Sequence, residues 1–373
     1  MAVIAASSVR TCLGDGQQTF AALLEGRCGV GPLRYVDSSA VGVEYGYHVG
    51  EAGPEASRRA SGWLAECVRE ALASAGVDAS AGRIPVLVGS GLRELRGAER
   101  WAIDAADFSA RELHMADVVA AISPALGPVL TISNACSAAG SALALAQDLV
   151  DSGAAQVVVA AGADAMTATM LAMIGRVAER PTTRVRPFDA DRTGVLLGEG
   201  AAAVVVAGDR WAGPVLAVLL ATALSCDAHH ETAPAAEGIC RAMREALVRA
   251  DRSPEEVAVV LAHGTATALN DVTEAQAIRD VLVAGGGSPW LTAIKGGIGH
   301  TSGASALMSL DVALRCLADG RIPPIVGLES PLAEAAGLRL VAGGPVALSG
   351  RVAQVDAFGF GGVNAVTLVE APA

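Results

Sequence analysis

The chain has 373 residues, 52% of them hydrophobic and only 3% aromatic, with a formal net charge of −12. That length supports a large core in one big or two medium domains, and with so few aromatics the core must be built from Ala, Val, Leu and Ile. The negative charge excludes nucleic acid as the main partner, because phosphate contacts need concentrated Lys and Arg.

No run of 18 apolar residues suggests a membrane span, and the start MAVIAASSVR lacks the basic segment of a signal peptide, so a cytoplasmic protein is expected. The seven cysteines (Cys12, Cys28, Cys67, Cys136, Cys226, Cys240 and Cys316) are scattered and form no Cys-x-x-Cys pair. A zinc site or a disulfide framework is therefore not expected, and most of them read as small core fillers.

Apolar runs alternate with helical periods along the chain, which predicts an α/β fold with largely buried sheets. Residues 128–132 (PVLTI) predict a strand, and 137–150 a helix with Leu143, Leu145 and Leu149 among its apolar positions. Asp151-Ser-Gly breaks that helix before a second buried strand over 156–161. Residues 208–213 (GDRWAG) divide the chain into halves of similar style, 1–208 and 209–373. With no low-complexity linker, the halves are expected to share one body. In the second half, 257–262 predicts a strand, and Asn270 or Asp271 caps a helix through Ala277, Ile278 and Val281. Residues 291–294 lead through a Gly-rich turn to a helix over 303–317. Strands over 352–356 and 365–369 flank a last turn, 358–364 (FGFGGVN).

Four side chains in these turns invite chemistry. Cys136 stands where a strand ends and a helix of small residues begins, and a helix N-terminus favours thiolate over thiol. Small neighbours would let a substrate reach the sulfur, and they would equally suit a tight helix crossing. On this stretch alone, core filler and nucleophile fit equally well. His263, in LAHGTATALNDVTEAQAI, ends an apolar strand where packing explains a polar ring poorly. His300, in IKGGIGHTSGASAL, lies in another strand-to-helix turn with Lys295 five residues earlier. Open α/β sheets place their ligands at such carboxyl ends of strands. The glycines of 358–364 free the backbone to present N–H groups, but no Walker pattern and no following helix support a nucleotide there.

Taken in order, NACSAAGSA, RPFDADRTGVLLGEGA, CDAHHETAP, AHGTATALNDVTEA, IKGGIGHTSGA and AFGFGGVNA resemble the β-ketoacyl-acyl-carrier-protein synthases. The likeness begins at an N-terminal strand and 24–30 (LEGRCGV) and spans nearly the whole chain. It implies the thiolase fold, α/β with two similar halves in a five-layered α-β-α-β-α body. The resemblance places the family's nucleophile on Cys136, its two histidines on His263 and His300, and its lysine on Lys295. It places the phosphopantetheine channel on Thr265, Thr267 and Thr232. Phe360 becomes the gate, its N–H joining that of Cys136 as an oxyanion hole. The implied reaction is decarboxylative condensation of a malonyl-type thioester with an acyl group on Cys136, giving a 3-ketoacyl carrier protein in fatty acid or type II polyketide assembly. No metal or bound cofactor is implied, since substrates arrive on the phosphopantetheine of an acyl carrier protein. Two alternatives remain: a non-elongating acyltransferase, or one subunit of a ketosynthase/chain-length-factor heterodimer.

The chain also departs from that family. Ser309 stands where many relatives carry a glutamate paired with the lysine, which suggests Asp311 as a substitute. The segment between Thr167 and Arg186 is short, and Arg93 and Glu94 follow Gly89-Ser-Gly-Leu where small residues are usual. That pair reads as solvated or as a limit on the acyl pocket, and Met166, Met170 and Met173 read as core. Arg58 and Arg59, with Arg176, Arg180 and Arg184, are expected to meet the carrier protein. A homodimer or a heterodimer is expected, with the strand around 156–161 pairing across the two-fold axis.

Overall fold

In the computed structural model, which describes residues 1–50, 58–78, 82–177 and 180–372, each half of the chain lays down five main strands in the same order. The first half contributes β1 (Val3–Thr11), β2 (Ile84–Gly89), β3 (Leu126–Ile132), β4 (Val157–Asp164) and β5 (Gly200–Ala207), arranged β3-β2-β4-β5-β1. The second contributes β6 (Ala217–Cys226), β7 (Val257–Leu261), β8 (Trp290–Thr292), β9 (Val352–Gly359) and β10 (Val363–Glu370), arranged β8-β7-β9-β10-β6. Directions repeat as well. In each half the first three strands of that order are parallel, and the remaining junctions are antiparallel. The half-sheets join at one corner, where Val3 faces Val218 and Ile4 faces Ala217.

Six helices build the layers: α1 (Arg59–Ala75), α2 (Ala138–Asp151), α3 (Ala168–Val177), α4 (Ala236–Ala250), α5 (Asn270–Ile278) and α6 (Ser305–Asp319). Leu64, Val68 and Leu72 of α1 cover the outer face of the first half-sheet against Val86, Val159 and Val205. Ile239, Met243 and Leu247 of α4 do the same for the second against Val260, Val366 and Leu368. Between the half-sheets, Leu143 and Ala146 of α2 share one core with Leu307 and Leu310 of α6, Val204 and Val355. This is the five-layered α-β-α-β-α body the motifs imply. With apolar layers on both faces, the strands read as continuous Val/Ala runs instead of alternating ones. No helix among the described residues is long and apolar enough to cross a membrane.

The small residues of the central helix have a packing reason. A Cβ on Gly140 would stand 2.6 Å from Cβ of Ala365, and one on Gly89 only 2.2 Å from the Ala139 nitrogen. Strand, helix and opposite sheet thus meet at backbone distance just behind Cys136.

Several expectations shift. The helices predicted from residues 137 and 303 begin at Ala138 and Ser305, each after a 3-10 turn, Ala135–Ser137 and Ser302–Ala304. Neither Asn270 nor Asp271 caps α5 by side chain. Asp271 lies inside the helix and accepts instead from the Phe188 and Ala266 amides, at 2.7 and 3.1 Å. The strand predicted over 156–161 is β4, and it is paired on both sides by β2 and β5. It has no free edge to pair across a two-fold axis. The open edge of that half is β3, where Leu130 is 48% exposed. Met166 is buried as expected and Met170 is half-buried, but Met173 is 38% exposed on α3.

Replacing Gly89 with Ala puts a methyl group against helix backbone that cannot rotate away. We expect a stability loss of at least about 2 kcal/mol in chemical denaturation. An unchanged midpoint would contradict this packing.

Candidate active site

Cys136 follows β3, His263 follows β7, and Lys295 and His300 share the stretch between β8 and α6; the four converge at the carboxyl ends of the parallel strands. Ala135, at φ 60°, turns the chain sharply out of β3, so that Cys136 precedes α2 by two residues. In the other half Ser302, at φ 48°, makes the matching turn into α6. The hydroxyl of Ser305 donates to the Cys136 carbonyl at 3.2 Å and locks the two turns together.

The Cys136 sulfur lies 3.0 Å from Nε2 of His300. The His263 and His300 rings meet edge to face with centroids 5.3 Å apart, and Phe358 tilts against His263 at 5.7 Å. Lys295 Nζ lies 3.3 Å from Nδ1 of His263 and donates to the His263 carbonyl. A lysine donating to Nδ1 leaves the proton of His263 on Nε2, the tautomer that can donate from its other face. The backbone N–H groups of Phe360 and of Cys136 both favour the thiolate form of the sulfur. The Phe360 ring stands 46% exposed beyond a three-residue turn, 360–362, in which Gly361 and Gly362 take φ of 81° and 74°.

Burial dominates the electrostatics. It pushes the Cys136 thiol up to about 11, against the opposing pull of Lys295 and the Phe360 amide. The thiolate expected from a helix N-terminus is thus outweighed by desolvation, and the resting group is a thiol beside an imidazole. Burial, then the Lys295 charge, lowers both His263 and His300 well below the ordinary histidine value, so both rings are neutral at pH 7. Lys295 itself is only 2% exposed; burial lowers its pKa, and the Glu274 carboxylate opposes that shift.

Glu274 is the residue that sequence reasoning missed. Its oxygens accept the amides of His263 and Gly264 at 2.6 and 2.9 Å and Nδ2 of Asn270 at 3.1 Å. Asp356 faces the same region, bonded to Gln354 at 2.9 Å, and burial with the Glu274 charge raises it far above the carboxylate range. Asp311 does not serve Lys295, because it is held by Arg315 at 2.7 Å and Ser7 at 2.8 Å. The signal for Glu274 was present as two carboxylates three residues apart, Asp271 and Glu274, on a helix otherwise facing the core. Asp164, also missed, ends β4 and accepts from Ser90 Oγ, the amides of Gly91 and Leu92, and the amide of Ala304. Burial pushes it to about 6.

The remaining predicted residues divide. Thr265 and Thr267 adjoin His263, with hydroxyls 3.0 Å apart. Thr232 is exposed in a loop tied to the 360–362 turn by Gly361 N–H donating to the Glu231 carbonyl at 2.7 Å. Arg59 is no surface landing point: its guanidinium forks onto buried Glu199 at 2.8 and 2.5 Å, between the rings of Tyr35 and Trp63. Arg58 is exposed, 3.8 Å from Glu112; Arg176 and Arg180 are exposed, and Arg184 pairs with Glu329. Glu94 is neither solvated nor paired with Arg93, for it is buried and accepts the Ser61 amide in the first turn of α1 at 2.6 Å.

Removing the Lys295 charge must raise the His263 pKa, since the ammonium is one of the groups holding it down. In NMR titration we expect neutral His263 in the wild type at pH 6 and protonation shifted upward in Lys295→Met. An identical titration in both proteins would refute the assigned contact.

The geometry can be set beside known proteins. The profile of the beta-ketoacyl synthase N-terminal domain matches residues 2–210, and that of the C-terminal domain matches residues 216–329. Nodulation protein E of Rhizobium meliloti is 35% identical over 246 residues, 64% of this chain and 61% of that protein, so just under two thirds of its length is matched. The 3-oxoacyl-[acyl-carrier-protein] synthase 2 of Synechocystis sp. is 30% identical over 389 residues, 94% of this chain and 93% of that protein. Among solved structures, the ishigamide ketosynthase/chain length factor superposes with a TM-score of 0.90 at 28% identity, covering 100% of this chain and 99% of that one. The chain belongs to the beta-ketoacyl synthase family.

Proposed function

We propose that this chain is a ketosynthase acting on carrier-protein thioesters: it takes an acyl group onto Cys136 and extends it with a malonyl-type unit by decarboxylative Claisen condensation. The single observation that carries this reading is the cluster of a thiol, two neutral imidazoles and a buried ammonium, with Cys136 Sγ 3.0 Å from His300 Nε2. In this reading residues 1–208 supply the nucleophile, and residues 209–373 supply His263, Lys295 and His300.

The roles follow from charge. As Cys136 attacks the acyl thioester, its proton passes to His300 and on to the departing pantetheine sulfur, so the imidazole ends neutral. The tetrahedral oxyanion is held by the N–H groups of Cys136 and Phe360, a contribution of about 3 kcal/mol per donor in comparable sites. A malonyl thioester then loses carbon dioxide, and its enolate oxygen accepts hydrogen bonds from His263 and His300. The carbanion attacks the acyl-cysteine carbonyl, expelling the sulfur and releasing a 3-ketoacyl product. These side chains cover each step, and the phosphopantetheine enters and leaves with the substrate, passing Thr265, Thr267 and Thr232.

The carrier is an acyl carrier protein, as the name of the Synechocystis relative states for that enzyme. Arg58, Arg176 and Arg180 are the exposed cations we assign to it, and Arg59 is withdrawn from that set by Glu199. The open edge of β3 with exposed Leu130 is the surface we assign to a second ketosynthase-like subunit, identical or related. The presence of Cys136 favours the catalytic subunit over a chain-length partner. Ser309 leaves a non-elongating acyltransferase open, and the Glu274 carboxyl group in the field of Lys295 supports the elongating reading.

Supplied with acyl and malonyl carrier proteins, the wild type is expected to gain the acyl mass and to release carbon dioxide. Cys136→Ala should abolish acylation, and His263→Ala should cut carbon dioxide release by about 100-fold or more. Acylation without decarboxylation would sink the elongation reading.

A further inference from the structure

The stretch RPFDADRTG is prominent in the sequence, yet none of the steps above uses it. Its Arg192 reaches across to the loop between β7 and α5 that carries Thr265 and Thr267. Nε donates to the Thr267 carbonyl at 3.2 Å, Nη2 to the Ala268 carbonyl at 3.1 Å, and Nη1 back to the Asp189 carbonyl at 3.1 Å. We propose that Arg192 is a positioning residue, one that fixes the Thr265–Thr267 hydroxyl pair where a pantetheine arm passes and so sets the preference for arm-borne over short thioesters. The inference rests on the ketosynthase reading of the same site.

That loop needs an external brace. It runs from buried His263 to the surface at Leu269 in six steps, with Gly264 and Ala266 in left-handed conformations at φ 45° and 63°. Irregular backbone of this kind cannot satisfy its own polar groups. The amides of His263, Gly264 and Ala266 are taken by Glu274 and Asp271. On the carbonyl side, Lys295 takes His263, and Arg192 takes Thr267 and Ala268.

The two cations thus divide the work. Lys295 holds the end that carries the imidazole, and Arg192 holds the end that carries the hydroxyls. A planar fork suits two consecutive carbonyls, whereas an ammonium offers a single point of contact. The fork is itself rooted, because Asp189 is buried and accepts the amides of Glu329 at 2.7 Å, Ser330 at 2.8 Å and Asp191 at 2.9 Å.

The test compares two acyl donors for Cys136, an acyl-pantetheine and the S-ethyl thioester of the same acid, which lacks the arm. For Arg192→Ala we expect KM for acyl-pantetheine to rise about tenfold, the loss of one hydrogen bond between a displaced threonine hydroxyl and the arm, with kcat within about twofold. The S-ethyl thioester and iodoacetamide should react with Cys136 within about twofold of the wild-type rates. Arg192→Lys should fall between. Thr267→Val should match the Arg192→Ala loss, and the double variant should lose no more than either alone. An unchanged KM, an equal loss with both thioesters, or additive losses in the double variant would each overturn the positioning role. Failure of the wild type to accept acyl-pantetheine at all would overturn the ketosynthase reading, and this inference with it.

Discussion

Lys295 carries an ammonium group into an interior where only 2% of the residue meets solvent, and the rest of the site is arranged around that charge. An unpaired buried cation would cost several kcal/mol and would shed its proton instead. Here the carbonyl and Nδ1 of His263 accept from it, and the Glu274 carboxylate stands within its field. Burial first and this charge second keep both imidazoles neutral. Glu274 is fixed in turn by three hydrogen bonds, two of them from backbone amides that it positions. Burial pushes Glu274 up to about 7, against the amides of Gly264 and His263 and the Lys295 charge. These contacts tie β7, α5 and the Lys295–Ile298 turn into one unit.

The duplicated architecture explains how residues far apart in sequence meet. Each half lays down five strands and sets one helix, α2 or α6, between its third and fourth strands, buried between the half-sheets. Because α2 and α6 lie together in the central layer, their N-terminal turns face each other. Cys136 arrives through Ala135 at φ 60°, and the matching turn of α6 passes through Ser302 at φ 48° just after His300. Symmetry of backbone thereby produces asymmetry of chemistry, a sulfur from one half and imidazoles from the other. Glycines at 89 and 140 let these layers close to backbone distance.

The sulfur itself shows two effects in competition. A helix N-terminus and a nearby ammonium favour thiolate, whereas desolvation favours thiol. Desolvation wins, and the thiol rests at about 11. A half-buried thiol resists stray oxidation and alkylation better than an exposed thiolate, and His300 Nε2 stands 3.0 Å from it.

Local pattern by itself determined the strands of Val and Ala and the helices that follow Cys136 and His300, and it set Cys136, His263, Lys295 and His300 in turns at the ends of strands. Those features depend on neighbours within a few residues, where period and turn chemistry act. Tertiary structure alone decided which strand keeps an open edge, because strand order is set by packing between distant segments: β4 looked available for pairing and lies between β2 and β5. It also decided that Arg59 is spent on Glu199, that Asp311 belongs to Arg315, and that Glu274 answers Lys295. A charge reveals its partner only once burial has removed water as the alternative, and burial is a property of the assembled layers.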